Sequence, residues 1–197
     1  MIMMMALVSE LIPGTVSPSK TFGVHHSQVN TADVNDLVNL KTGKPVVRLK
    51  GFSGFEGENH GGVVAAYNKS ETLAVFMHEG KWEPRALSLV HLGAGKQMSM
   101  LKQVQSDSKG YYLSRPKSKK LSGMVFQVTG AKFVGDAISF SIIGEVPKDD
   151  ESAATYHSVT YNLKSKVAPN SNAFVLGKPV FKSLTEKDGF SWPVDGR

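Results

Sequence analysis

The residues best suited to contact a ligand lie in one stretch, residues 109–120, which combines aromatic and basic side chains and contains no acidic residue. Its candidate nucleic-acid contacts are Lys109, Tyr111, Tyr112, Arg115, Lys117, Lys119 and Lys120. Tyrosine rings stack on bases, and neighbouring cations neutralise phosphates. The same cations also keep a loop soluble and protect a strand edge from mispairing. The stretch therefore predicts nucleic-acid binding as one function, beside a purely structural role.

Two glycine-rich segments carry only part of a catalytic motif. In Gly51–Phe55 a phenylalanine stands where the nucleophile elbow needs its last glycine. In Gly93–Gln97 a glutamine replaces the serine or threonine that a phosphate-binding loop uses for magnesium. A hydrolase built around Ser53 and His60 is therefore the third and least favoured hypothesis. The sequence favours a protein that is not an enzyme.

Metal and cofactor motifs are not recognisable in the sequence. The histidines are scattered without an H-x-H or H-x-x-x-H pair, and cysteine is absent. The acidic run Asp149–Glu151 is not followed by the spaced oxygen ligands that a hard cation requires. We therefore predict no metal and no cofactor.

Apolar side chains are concentrated near both ends of the sequence. The predicted assembly contacts are Met1, Ile2, Met3, Met4, Met5, Leu7, Val8, Phe190 and Trp192. The first eight residues have neither a basic n-region nor a cleavage site, so we predict no signal peptide. They are also far shorter than the roughly 20 residues of a membrane span. The expected location is the cytoplasm or a virion.

Composition is that of an ordinary soluble domain, with 41% hydrophobic and 20% charged residues. The formal net charge of +6 favours contact with polyanions or acidic surfaces. A length of 197 residues suits a single β-rich domain.

The longest alternating pattern runs from Met124 to Val146 and predicts two antiparallel strands. Apolar residues recur at every second position before and after Gly135-Asp136, which has the composition of a turn. Further strands are predicted at residues 45–52, 63–67, 73–78, 86–92, 98–104, 111–113, 156–163, 173–176 and 179–184. These strands indicate a β-rich core.

Two segments near the start of the chain predict other structures. Residues 9–30 are rich in Ser, Thr, Pro and Gly, which favours an extended surface arm. From Thr31 to Gly43, apolar residues at positions 34, 37 and 38 predict one short helix.

The prediction for the whole chain is an all-β protein, an antiparallel β-sandwich or jelly roll with one short helix near the N-terminus and extended terminal arms. Residues 1–30 form the N-terminal arm and residues 31–197 the single β-rich domain. The favoured function is a structural or assembly protein, such as a viral capsid, decoration or other particle-building subunit. It is expected to form a homo-oligomer or a larger assembly through protein–protein contacts. The alternative is a nucleic-acid-binding β-module that uses the Tyr/Lys/Arg stretch.

Overall fold

A computed structural model describes residues 9–53, 62–80, 84–115, 124–145, 154–164 and 174–185. These residues form 13 strands, one α-helix and one short 3-10 turn, and the strands make three antiparallel sheets. The predicted all-β class is therefore confirmed. A sandwich or jelly roll is not confirmed, because the strands form three sheets in which chain neighbours pair with one another. The division into an arm and one domain stays a prediction.

The first sheet contains β1 (Glu10–Ile12), β2 (Phe22–Val29), β3 (Ala32–Asn39) and β4 (Lys44–Arg48). The 3-10 turn Pro13–Thr15 follows β1. Asn30 and Thr31 connect β2 to β3 with φ angles of 50° and 67°. Two central residues with positive φ are typical of a type I′ hairpin, whose twist matches that of the paired strands.

The first sheet corrects two predictions. The segment from Thr31 to Gly43 is not a helix, because Thr31 lies in the hairpin turn and β3 pairs with strands on both sides. Residues 9–30 are not simply an extended arm, because they include β1 and β2, and Val24 of β2 is fully buried. Long-range strand pairing, which a local pattern does not report, decided both segments.

The second sheet contains β5 (Val63–Tyr67), β6 (Leu73–His78), β7 (Ala86–His91) and β8 (Lys96–Ser99). The predicted strands at 63–67 and 73–78 are confirmed, and they pair with each other as β5 and β6. Nearly every residue of β6 and β7 is buried, so both faces of this sheet are covered. The near-continuous apolar sequences of β6 and β7 are typical of strands that are buried on both faces of a sheet.

The third sheet contains β9 (Val125–Val134), β10 (Ala137–Glu145), β11 (Thr155–Lys164), β12 (Val175–Leu176) and β13 (Val180–Ser183). Strands β9 and β10 form the predicted antiparallel hairpin, and Gly135 adopts a φ of 57° in its turn. Strands β12 and β13 both pair with β11.

The single described helix, α1 (Leu101–Leu113), connects the second sheet to the third. The predicted strands at 98–104 and 111–113 are therefore wrong beyond Ser99, where β8 ends. Val104 and Ser108 are buried one turn apart on the helix. The hydroxyl of Tyr161 in β11 donates a 2.7 Å hydrogen bond to Asp107, which fixes the helix on the third sheet.

Two hydrophobic cores hold the sheets together, and both use the second sheet. One face of that sheet, including Val75 and Leu89, packs on α1 and on Phe140 of the third sheet. The opposite face, including Phe76, packs on Leu37 and other residues of the first sheet. The second sheet is therefore the central layer, which leaves one outer face on each of the other two sheets.

Candidate functional site

The described part of the predicted nucleic-acid site lies at the C-terminal end of α1. Lys109, Tyr111 and Tyr112 belong to the helix, and Arg115 follows it. Lys117, Lys119 and Lys120 lie outside the described residues. The structure therefore brings four of the seven predicted residues together on one short segment, and the nucleic-acid role of all seven stays a prediction.

Tyr111 makes close contacts with the third sheet. Its ring stacks on Phe181 of β13, with the centroids 4.5 Å apart and the planes 2° from parallel. The Cζ atom of Arg115 lies 5.0 Å from the centroid of the Tyr111 ring. The guanidinium also donates a hydrogen bond to Ser183. Base stacking on Tyr111 would have to compete with these contacts.

The other described members of this segment differ in exposure. Tyr112 is partly buried against the core and meets Phe126 edge-on, with ring centroids 6.3 Å apart. Lys109 is exposed one turn earlier. The aromatic side chains therefore contribute to packing, whereas Lys109 presents its charge to solvent.

His157 of β11 lies beneath this segment and was not among the predicted site residues. It is only 2% exposed and contacts the rings of Tyr111, Phe126 and Phe181. Its Nε2 atom is buried without a hydrogen-bond partner among the described residues. Burial, and secondly the positive charge of Arg115, lower the pKa of His157 to about 4. The alternating pattern of β11 was the available signal, because it places His157 on the same face as Val159 and Tyr161.

A second candidate site lies on the outer face of the first sheet. A depression of about 260 Å³ is lined by Ser9, His25, Ser27, Asp36, Val38, Leu40, Gly43 and Pro45. Ser9 Oγ and His25 Nδ1 are 2.8 Å apart and share a hydrogen bond. His25 pairs across the sheet with Asp36, which pairs with Arg48. No local pattern in the sequence indicates this pairing, because the position of His25 beside Asp36 depends on the register of β2 and β3.

Asp36, which lines this depression, is held in an ion pair with Arg48. Both carboxylate oxygens of Asp36 accept hydrogen bonds from Arg48, at 2.9 and 3.0 Å. This ion pair takes up the carboxylate that would otherwise orient the imidazole of His25. The Asp36 carboxylate raises the pKa of Arg48, through its hydrogen bonds and its negative charge.

Most of the remaining predicted residues lie outside the part of the chain that the structure describes. The assembly contacts Met1, Ile2, Met3, Met4, Met5, Leu7, Val8, Phe190 and Trp192 lie outside the described residues, as does His60. Ser53 is exposed after β4. Among the residues that the structure describes, no three His, Asp or Glu side chains form a group suited to a metal ion. No helix within the same residues has the length and hydropathy of a membrane span.

Fold and sites together define an all-β protein of three antiparallel sheets with two candidate binding surfaces. No protein-family model and no curated protein matches the chain. Among solved structures, the chain is similar to the crystal structure of TolB from Acinetobacter baumannii, with 14% sequence identity and a TM-score of 0.40. The match covers 93% of this chain and 34% of TolB, so the chain spans only about a third of that protein's length.

Proposed function

We propose that this chain is a structural or assembly protein that acts through protein–protein contacts in a homo-oligomer or larger particle. A viral capsid or decoration subunit is one form of this proposal, with the cytoplasm or a virion as its location. For the finer architecture we propose a sandwich-like body, supported by the second sheet packing between the other two. The observation that carries the functional proposal is a set of exposed valines on the third sheet.

Three valines share the outer face of the third sheet. Val134 pairs with Ala137, Val180 pairs with Thr160, and Val175 pairs with Lys164. Directly paired residues point to the same side of a sheet, as do residues two apart along a strand. Val134, Val175 and Val180 are 59%, 44% and 59% exposed. Their burial by a partner would stabilise a complex by up to about 25 cal/mol per Å² of apolar area, before the costs of association.

The short strands β12 and β13 add backbone groups to this surface. Each pairs with β11 on one side, and Val175 and Val180 belong to them. A strand at a sheet edge offers peptide N–H and C=O groups to a strand of another chain. Edge pairing together with valine burial is a route by which identical subunits assemble.

Light scattering of the purified chain tests this proposal. We expect a concentration-dependent oligomer and a smaller species when Val134 and Val180 are both replaced by glutamate. The control is Leu113→Glu, because Leu113 is 53% exposed but lies on α1. Circular dichroism verifies that each variant remains folded. A parent chain that is monomeric over the whole concentration range would contradict the proposal.

Nucleic-acid binding is the second candidate function, and one observation favours it. Lys109 is exposed and Arg115 is partly exposed at the end of α1, directly before the basic residues at positions 117, 119 and 120. Cations in this arrangement suit a phosphate backbone. A salt titration of oligonucleotide binding tests this function separately.

A further inference from the structure

The depression on the first sheet has both apolar and polar lining residues. Val38, Leu40 and Pro45 form its apolar part, and Ser9 and His25 are among its polar residues. A Cβ atom added to Gly23 would come within 2.8 Å of Leu11 and 3.2 Å of Leu40, so both leucine side chains lie over this glycine. Leu11 is exposed, and Leu40 is partly exposed. The outer face of a four-stranded sheet thus carries an apolar surface of limited size.

The segment that precedes this depression in the chain matches it chemically. Residues 1–8 are Met-Ile-Met-Met-Met-Ala-Leu-Val, and they lead directly to Ser9, which lines the depression. Methionine side chains are unbranched and polarisable, so they adapt to irregular apolar surfaces. The segment has no charged side chain that would have to be desolvated on binding.

The direction of β1 favours a second copy as the acceptor of this segment. Glu10 pairs with His26 and Ile12 pairs with Val24, so the antiparallel register at Ser9 points toward the Val29 end of β2. The apolar part of the depression lies toward the opposite end, beside Leu40 and Pro45. A segment folding back over its own sheet would need a tight reversal before Ser9. Residues 1–8 contain no Gly, Pro, Asn or Asp, the residues that such turns prefer.

We propose that the depression on the outer face of the first sheet binds residues 1–8 of a second copy of this chain. This inference rests on the proposed assembly function and names a donor and an acceptor for one of its contacts. Two copies exchanging the segment reciprocally form a closed, two-fold contact. The segment is long enough to cross the depression, because eight extended residues reach about 26 Å, whereas three neighbouring strands of the sheet span about 10 Å.

Mixing two variants distinguishes exchange between copies from contact within one chain. The donor variant carries Met3→Glu and Met5→Glu, and the acceptor variant carries Val38→Glu and Leu40→Glu. We expect each variant alone to associate at least tenfold more weakly than the parent, since every contact lacks one half. The mixture should recover a heterodimer, because the intact segment of the acceptor variant binds the intact depression of the donor variant. Val34→Glu is the control, on the same strand and the same face but outside the depression.

If the glutamate variants do not fold, disulfide formation between two copies tests the inference instead. The natural chain has no cysteine, so Met4→Cys in one tagged copy and Leu40→Cys in another can join only between copies. We expect a mixed disulfide dimer under mild oxidation and much less with Val34→Cys in place of Leu40→Cys. The mixed dimer forming no faster than this control would overturn the inference.

The outcomes separate this inference from the function on which it rests. If the acceptor variant associates as strongly as the parent chain, the inference is overturned and the assembly proposal is left intact. Weak association of both variants without recovery on mixing also overturns exchange between copies. A monomeric parent overturns both proposals.

Discussion

The imidazole of His157 lies against the phenol ring of Tyr111, with the two ring centroids 5.2 Å apart. This contact connects the third sheet to the last turn of α1, and Arg115, which follows the helix, also binds Ser183. Because the surroundings of His157 are apolar or positively charged, its neutral form is strongly favoured and its pKa falls to about 4.

Acid should destabilise the protein through His157. An unfolded histidine has a pKa of about 6.5, so between pH 6.5 and 4 the unfolded chain binds more protons than the folded chain. The stabilising contribution is complete above pH 6.5 and decreases as the pH falls to about 4. The full decrease is on the order of 3 kcal/mol, from about 1.4 kcal/mol per pKa unit. Urea unfolding at pH 7, 6 and 5 measures the first part of this decrease, which should reach about 2 kcal/mol at pH 5.

The matched comparison is His157→Leu with His91→Gln as the control. The leucine variant should lose much of the pH dependence between pH 7 and 5, whereas the control should retain it. The same pH dependence in the leucine variant as in the parent would show that other groups cause the acid sensitivity.

Glu71 connects the turn between β5 and β6 to the segment before β2. Its carboxylate accepts hydrogen bonds from Ser17 Oγ at 2.9 Å and from the Ser19 N–H and Oγ at 2.8 and 2.6 Å. Burial opposes ionisation, but these hydrogen bonds and the charge of Lys41 outweigh it and lower the pKa of Glu71 below its ordinary value of 4.5.

Glu71→Gln should therefore reduce stability at pH 7, and its effect should depend on pH. The carboxylate contributes fully above its unfolded pKa, and the contribution disappears as the pH falls through the lower folded pKa. The stability difference between parent and variant should therefore shrink below about pH 4.5. Thermal unfolding at pH 7 and pH 3 measures it, with the exposed Glu10→Gln as control. A difference that does not change with pH would contradict an ionised Glu71 at this position.

Gly95 allows the turn before β8 to approach the first sheet. It has a φ of 60°, and an added Cβ would lie 2.5 Å from the carbonyl oxygen of Val46. Gly135 has a similar φ of 57° with no atom within 4 Å of such a Cβ. Gly135→Ala should cost about 1 kcal/mol for the left-handed backbone alone. Gly95→Ala should cost more, because the Val46 carbonyl must also move. Urea unfolding of both variants measures the difference, and equal costs would argue against this close approach.

A salt titration of oligonucleotide binding tests the second candidate function. The variant changes four cations to glutamine: Arg115, Lys117, Lys119 and Lys120. Nucleic-acid binding through this segment predicts weaker affinity and a shallower log–log salt dependence, by about 0.7 to 0.9 for each phosphate that the variant no longer neutralises. The control changes four exposed lysines on other surfaces: Lys20, Lys44, Lys50 and Lys69. If the two variants change the affinity and its salt dependence equally, binding depends on the net charge of the protein and not on this segment.

Much of the strand content could be predicted from local patterns in the sequence. Alternating apolar residues located β9 and β10, and Gly135-Asp136 marked their turn, because a two-residue period and a positive φ are local properties. The pattern around Val34, Leu37 and Val38 was ambiguous, since these spacings suit one face of a helix as well as a β-branched strand. The segment is a strand because it pairs with β2 on one side and β4 on the other.

Which surfaces are buried and which side chains contact each other depends on how the three sheets pack. The second sheet is buried on both faces because the other two sheets pack on it, and no local period specifies such partners. Tyr111, expected in a strand, instead lies on α1 and stacks on Phe181, a residue 70 positions later in the chain. His25 and Asp36 become neighbours through the register of β2 and β3. Contacts between distant residues depend on how whole sheets pack and pair, and the candidate sites consist of such contacts.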